Sequence, residues 1–290
     1  MIPRAFIQGW FAHAPWPDPR QIEQDLIICR VLCDLFSAPA LKGRIAFRGG
    51  TAIHKLLFRR PLRYSEDIDL VQTRAEPIGS TVNAIRDALA WLGEPGRHQA
   101  GHSMRLLYRF APESAPGESL GLKVEINTRE HQSLFGLHRI PFAMESDWHS
   151  ARTEIATFFP EELFGTKLRA LLQRRKNRDL FDLHHGLRDL GLDCGKVIAA
   201  FEHYLAQEEI VITRAHAEQR MLEKLGKSLT DDVAPLLPAE IRFSDEDALA
   251  AFENVWCQLI VRIKGNPWKL TGKALDELRA GKYPRLLANH

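Results

Sequence analysis

Two aspartates in the stretch Asp67-Ile68-Asp69-Leu70-Val71 have the types and spacing that chemistry requires. Carboxylate and aliphatic residues alternate there, which predicts a β-strand with Asp67 and Asp69 on one face and the aliphatic side chains packed inward. Proteins usually hold Mg²⁺ through one or two carboxylates together with substrate phosphates. The pair is therefore a candidate Mg²⁺ site for phosphoryl transfer. The alternative is an exposed strand whose carboxylates are simply solvated.

A third carboxylate, Glu125, lies in a second alternating stretch, Leu122-Lys123-Val124-Glu125-Ile126-Asn127. The alternation predicts a strand with Glu125 on the face opposite Val124 and Ile126. If this strand lies beside that of Asp67, all three acids converge.

Upstream, Gly49-Gly50-Thr51 separates a short apolar run, Ile45-Ala46-Phe47, from the segment 52–58. The pattern predicts a strand, a tight turn and a helix with Thr51 as its N-cap. Free backbone N–H groups and the helix dipole at such a junction favour a phosphate, and glycine lets the phosphate approach the chain. The alternative is an ordinary turn between a strand and a helix.

The remaining pattern predicts a mixed α/β half followed by a helical half, with a boundary near residue 155. The first domain, residues 1–155, would be an α/β (α+β) core with an N-terminal helix, and residues 156–290 would be helical. We expect helices and strands from period-3.6 and period-2 spacing. The predicted elements are helices 18–37 and 81–92, a strand 104–110, a loop 111–119, and helices 161–175, 178–190, 195–206 and 245–263.

The order of these features, a glycine-rich turn, one helix and an acidic strand, is typical of nucleotidyltransferases. The stretches 47–56 and 63–70 together resemble the first motif of the AbiEii/AbiGii nucleotidyltransferase toxin family, in the DNA polymerase β-like superfamily. Phe164-Gly165-Thr166-Lys167-Leu168-Arg169-Ala170-Leu171 resembles its lysine motif, and Arg178-Asp179-Leu180-Phe181-Asp182-Leu183 resembles its final motif. The resemblance extends from about residue 45 to 185.

The resemblance implies a polymerase β-like core with a mixed sheet and a helical region that completes the active-site cleft. Arg48 stands where the family often has lysine, and Thr51 where it often has serine. Without the resemblance, Lys167 and Asp182 would be read as solvated helix residues. With it, the implied catalytic residues are Asp67, Asp69, Lys167 and Asp182; the implied nucleotide-binding residues are Gly49, Gly50, Thr51, Ser65, Lys167 and Arg178; and the implied metal ligands for Mg²⁺ are Asp67, Asp69 and Glu125.

The resemblance also implies a reaction, in which an acceptor hydroxyl attacks the α-phosphate of an NTP and pyrophosphate leaves. The implied acceptor is the 3′ end of tRNA or another RNA, and the implied role is that of a toxin in a toxin–antitoxin system of the abortive-infection, phage-defence type. A cognate antitoxin protein would then be a partner. Two alternatives stay open: transfer to a protein or small-molecule acceptor, and a non-catalytic nucleotide-binding module.

Charge and composition limit the other possibilities. Lys and Arg number 39 against 37 Asp and Glu, a formal net charge of +2, so any nucleic-acid contact must be a local patch. The densest basic run is Arg174-Arg175-Lys176-Asn177-Arg178, which is either a solvated helix end or a contact for an RNA backbone.

Several enzyme classes lack their motifs. There is no Gly-x-Gly-x-x-Gly, no P-loop and no Gly-x-Ser-x-Gly elbow, which argues against Rossmann dehydrogenases, P-loop ATPases and serine hydrolases. Four scattered cysteines predict no disulfide framework, and we expect a reducing, cytoplasmic location. We also predict no signal peptide and no membrane span.

Overall fold

A computed structural model describes residues 2–281 of the chain. The chain divides into two compact units. One runs to Phe159 and includes Leu237–Glu240, and the other comprises Pro160–Leu236 and the described residues from Ile241 onward. Residue 155, the predicted boundary, lies within a strand that continues to Phe158, and the division falls directly after Phe159.

The first unit is built on a seven-stranded mixed sheet, in agreement with the predicted α/β fold. Its spatial order is β3-β4-β5-β2-β1-β7-β6, so β2 is the central strand. β2 pairs antiparallel with β1 and parallel with β5. The strands are β1 (Ile45–Arg48), β2 (Ile68–Gln72), β3 (Gly96–Ala100), β4 (Ser103–Phe110), β5 (Leu120–Asn127), β6 (Leu137–Glu145) and β7 (Ser150–Phe158).

Four α-helices accompany this sheet: α1 (Arg4–Gly9), α2 (Pro19–Ser37), α3 (Gly49–Leu56) and α4 (Gly79–Ala88). The long helix α2 packs on the sheet against β7, β6 and β5. Its start follows from the sequence, because the Asp18 side chain accepts the Arg20 N–H at 2.9 Å and Pro19 occupies the first helical position. The predicted start of this helix is confirmed.

The prediction that Thr51 is an N-cap is wrong. Helix α3 begins at Gly49, directly after β1, so Thr51 lies inside its first turn. The Thr51 hydroxyl instead bonds to groups ahead of β2, and this tertiary contact overrides the local capping preference. The predicted helix 81–92 is shorter than expected, since α4 ends at Ala88 and a 3₁₀ turn follows.

The second unit is helical over its described residues. Its α-helices are α5 (Pro160–Gln173), α6 (Arg178–Asp189), α7 (Cys194–Gln207), α8 (Arg214–Lys224), α9 (Asp245–Gln258) and α10 (Thr271–Arg279). Two glycines allow close helix packing around α5. A Cβ at Gly165 would lie 2.6 Å from the Ala200 Cβ on α7, and one at Gly186 on α6 would lie 2.2 Å from the ring of Phe164. Helix α5 is therefore held tightly against both neighbours.

None of the helices within residues 2–281 combines the length and the apolar character needed to cross a membrane.

Candidate active site

The two aspartates of the acidic motif lie at the start of the central strand. Asp67 directly precedes β2, and Asp69 is its second residue. Ile68 and Leu70 are fully buried, so the period-two alternation expected from the sequence is present. Asp69 stands opposite Glu125 of β5 in the parallel ladder. Glu125 therefore lies on the strand next to that of the aspartates. The sequence analysis required this neighbouring position for the three carboxylates to converge.

Gly49 fixes the position of the Asp69 side chain. The residue has a φ of +81°, a backbone conformation that residues with a side chain rarely adopt. A Cβ at Gly49 would lie 2.1 Å from Oδ2 of Asp69, which is far inside contact distance. The first glycine of the Gly-Gly pair therefore lets the start of α3 lie directly against the Asp69 carboxylate.

Thr51 and Ser65 connect α3 to the segment that leads into β2. The buried Thr51 Oγ1 donates to the Asp67 carbonyl oxygen at 2.5 Å and lies 2.8 Å from Ser65 Oγ. Since the Thr51 proton is committed to the carbonyl, the Ser65 hydroxyl donates to Thr51. Thr51 thereby orients both Asp67 and Ser65, and no side chain caps the first turn of α3.

Lys123 links the outer two carboxylates of this face. Its Nζ lies 3.0 Å from Asp67 Oδ2 and 3.2 Å from Glu125 Oε2. Arg105 of β4 donates to the other Glu125 oxygen at 3.2 Å. We call Asp67, Asp69, Lys123 and Glu125 the acidic cluster. Glu125 is already paired with two cations, and within residues 2–281 no three His, Cys, Asp or Glu side chains are grouped as a ready metal site.

The protonation preferences differ within the acidic cluster. Burial, and then the neighbouring charge of Asp67, raise the pKa of the Asp69 carboxyl above its ordinary value. For Glu125, burial acts to raise the pKa, but hydrogen bonds led by that from Arg105 lower it overall. Asp67 is paired with Lys123, so Asp69 is the carboxylate of this face whose charged form is least compensated. Two adjacent carboxylates are a usual protein contribution to a Mg²⁺ site, which takes its other ligands from substrate phosphates and water.

Lys167 of α5 belongs to a second group, which we call the lysine cluster. Its Nζ lies 2.9 Å from Asp179 Oδ1 and 2.8 Å from Asp182 Oδ2. The two aspartates are three residues apart on one face of α6, and all three side chains are buried. Asp182 therefore positions Lys167 directly, while Arg178 is the half-buried first residue of α6.

Two residues of these clusters escaped the sequence analysis. Lys123 shares a strand face with Glu125 because it lies two residues before it, and this spacing was a usable signal. Asp179 lies inside the final motif, but only the fold shows that it contacts Lys167.

Arg48, noted as a departure from the family, is ion-paired with the buried Glu130, to which Asn127 also donates at 3.2 Å.

Comparisons with known proteins show the family and the fold of the chain. The model of the family described as "Nucleotidyl transferase AbiEii toxin, Type IV TA system" matches residues 30–262. In solved structures, MenT4, a nucleotidyltransferase toxin from Mycobacterium tuberculosis H37Rv, is similar with a TM-score of 0.64, 16% identity and 99% of each chain covered. JHP933 from Helicobacter pylori has a TM-score of 0.48 and 19% identity, over 91% of this chain and 98% of its own. A comparison with curated protein sequences finds no significant match.

Proposed function

Since this chain belongs to the AbiEii family, the nucleotidyltransferase toxins of type IV toxin–antitoxin systems, we propose that it transfers NMP from an NTP to the 3′ end of a tRNA with the help of Mg²⁺. The single observation that carries the proposal is the Asp67–Asp69 pair at the start of the central strand, with Asp69 packed on Gly49 at the uncapped start of α3. This arrangement combines cation ligands with backbone donors for phosphate.

In the proposed reaction, the acceptor hydroxyl gives its proton to solvent water as its oxygen bonds to the α-phosphorus. The bond between the α-phosphorus and the oxygen that bridges to the β-phosphate breaks, and pyrophosphate leaves. Asp67 and Asp69 would hold Mg²⁺, and Glu125 would be the third ligand in place of its contact with Lys123. When bound, the metal supplies positive charge that stabilises the phosphate oxygens. These ligands come from two adjacent strands, so their spacing is set by the backbone of the sheet.

The phosphates are held by the protein in the same proposal. The N–H groups of Gly49 and Gly50 donate to the triphosphate, and the Ser65 hydroxyl turns its proton from Thr51 to a phosphate oxygen, while Thr51 keeps the Ser65 side chain in place. Lys167 contacts the distal phosphates, since an ammonium offsets charge that develops on pyrophosphate. Arg178 adds a further cation, and Asp182 keeps Lys167 in place.

The biological consequence would be a block in translation. A nucleotide added to the 3′ end of tRNA prevents aminoacylation, which fits a toxin that acts in abortive infection. Membership of a type IV toxin–antitoxin family implies a cognate antitoxin, which would restrain this effect.

The test incubates purified protein with each labelled NTP, Mg²⁺ and total cellular RNA. Asp69→Asn keeps the side-chain shape and removes the charge, and Asp87→Asn makes the same change at an exposed position on α4. We expect label in a tRNA-sized band with the wild type and Asp87→Asn, and about 10²–10³-fold less with Asp69→Asn, the loss typical when one preorganised electrostatic group is removed.

Other outcomes would redirect the proposal. Label on protein alone would show a protein acceptor, and label on a small molecule would show the antibiotic-modifying type of acceptor. Full activity of Asp69→Asn would refute the metal assignment, and the absence of any label would leave nucleotide binding without transfer.

A further inference from the structure

The helical unit contains a basic cavity of about 430 Å³ that the proposed chemistry does not use. Ten residues line it, and they come from the end of α5, the α5–α6 connection, α8 and the residues just after α8. Five of them are cationic and one is acidic. The lining residues are Leu171, Leu172, Gln173, Arg174, Arg175, Asn177, Arg220, Glu223, Lys224 and Lys227.

The rim of this basic cavity carries charge that the protein does not neutralise. Glu223, the acidic lining residue, is paired with Arg220 at 3.3 Å. Within residues 2–281, Arg174, Arg175 and Lys227 form no ion pair, and their side chains are exposed. Like charges gathered on one concave surface repel each other, and an anion that bridges them relieves this repulsion.

The inner wall of the basic cavity is fixed rather than loose. Lys224 is buried and donates to the Arg174 carbonyl oxygen at 3.0 Å, which ties α8 to the end of α5. Asn177 donates through Nδ2 to the Ser228 carbonyl at 2.9 Å, and its backbone N–H donates to Asp232 at 2.8 Å. The exposed cations therefore extend from a rigid frame, which lowers the entropy cost of holding a ligand.

The charges of the lining residues suit the phosphodiesters of a nucleic acid better than the phosphates of an NTP. An NTP normally brings Mg²⁺ and so requires carboxylates, but the lining offers only Glu223, which already pairs with Arg220. Phosphodiesters of a nucleic acid need only cations. None of the ten lining residues is aromatic, so base stacking has no platform and contact falls on the backbone.

We propose that the basic cavity binds the phosphodiester backbone of the RNA acceptor. The inference rests on the proposed function, because it assumes that the acceptor is RNA. The basic cavity is joined to the lysine cluster through α5 and α6, and Lys224 lies close enough to Asp179 for their charges to interact. Backbone contacts there would hold a bound RNA beside Lys167 independently of its base sequence.

The test compares two double variants with equal charge change. Arg174→Gln/Lys227→Gln removes two rim cations, and Lys196→Gln/Lys273→Gln removes two exposed lysines elsewhere in the helical unit. Affinity for fluorescently labelled, unacylated tRNA is measured by anisotropy between 50 and 200 mM salt. All four positions are exposed, and thermal unfolding followed by circular dichroism confirms that each variant is folded.

We expect the rim variant to bind tRNA roughly 10- to 100-fold more weakly at 0.1 M salt. The slope of log affinity against log salt should fall by about one for each cation removed, or about two in all. The control variant should bind like the wild type. In transfer assays the rim variant should have a raised KM for tRNA and an unchanged kcat, because the reacting groups are untouched.

Three results would overturn the inference: equal tRNA affinity and slope in the rim variant and the wild type, a loss of ATP affinity with tRNA affinity kept, or the absence of tRNA binding by the wild type. Asp69→Asn separates this inference from the proposed function, since it should bind tRNA normally while transfer is lost. If instead the wild type binds tRNA through the rim but labels no RNA, the proposed transfer fails and the binding assignment stands.

Discussion

The charged side chains of the acidic cluster and of the lysine cluster are held in place by different means. In the acidic cluster, strand register and Gly49 place Asp69 beside Asp67, and burial, followed by the like charge of Asp67, raises the Asp69 pKa. In the lysine cluster, Lys167 is buried between two aspartates of opposite charge. The backbone thus maintains an unfavourable charge arrangement in the first case, and ion pairs maintain a favourable one in the second.

This difference predicts opposite responses to the removal of charge. Neutralising Asp69 removes a buried charge and its repulsion with Asp67, so it should stabilise the fold while it removes a proposed metal ligand. Neutralising Lys167 removes the cation that contacts both Asp179 and Asp182 and should destabilise the fold. A stability measurement can therefore distinguish the two clusters: the free energy of unfolding should rise when Asp69 is neutralised and fall when Lys167 is neutralised.

The largest effect is expected for Lys167→Met, which keeps much of the side-chain volume and removes the charge. Breaking a buried ion pair on one side costs about 3–5 kcal/mol of unfolding free energy. Urea denaturation should show this loss, whereas Lys196→Met at an exposed position should change stability by less than about 0.5 kcal/mol. Equal midpoints for the two variants would mean that the ion pairs of Lys167 contribute little to stability.

Gly49→Ala should have the next largest effect. The added Cβ would displace the Asp69 carboxylate, and a misplacement of about 1 Å in a reacting site can reduce the rate about 10²-fold. Gly79→Ala is the matched control, because a Cβ there meets no atom within 4 Å. Initial rates of NMP transfer measure the difference. A rate for Gly49→Ala equal to that of the control would show that Asp69 tolerates displacement.

Asp69→Asn should raise the Tm at neutral pH. The folded-state pKa of Asp69 is raised above its ordinary 3.8, so the cost of ionising it grows as pH rises from 3.8 through the folded-state pKa. The Tm gain over wild type should therefore be present at pH 7 and should vanish near pH 3, where the carboxyl is protonated in both the folded and the unfolded state. Asp87→Asn should show no such pH-dependent gain, and a lower Tm for Asp69→Asn would contradict the repulsion argument.

Lys123→Met should have the smallest effect. At the proposed metal site Lys123 would compete with the metal ion for Asp67, and ion pairs near the surface contribute about 0.2–1 kcal/mol. Removing it should lower the Mg²⁺ concentration needed to raise the Tm by up to about fivefold. Lys42→Met, at an exposed lysine of the same unit, should leave the Mg²⁺ dependence unchanged. A higher Mg²⁺ requirement for Lys123→Met would show that the lysine supports the metal site.

The sequence predicts those parts of the site that depend on local periodicity. The alternation around Asp69 and Glu125 predicts both strands and the faces of their carboxylates, but the register that sets them opposite each other depends on tertiary pairing. The family resemblance adds Lys167 and Asp182, whereas their contact joins residues fifteen positions apart and follows from packing at Gly165 and Gly186.

The edge of the sheet was less predictable. Strands β3, β6 and β7 were not recognised. Of these, β3 and β6 are the edge strands, their residues are mostly exposed or half-buried, and β6 contains Pro141. Such a strand lacks the clear apolar alternation of β5. Thr51 shows the same limit in another form, since its capping preference was outweighed by a hydrogen bond to the Asp67 carbonyl.

The central place of β2 has a consequence for local opening of the molecule. Three strands lie on each side of it in the order β3-β4-β5-β2-β1-β7-β6, so its amides are protected by both neighbouring ladders. Fluctuations that fray a sheet begin at its edges and reach the centre last. In hydrogen–deuterium exchange, the Asp69 and Leu70 amides should therefore be among the slowest of the sheet, and the carboxylate geometry should persist while β3 and β6 exchange quickly.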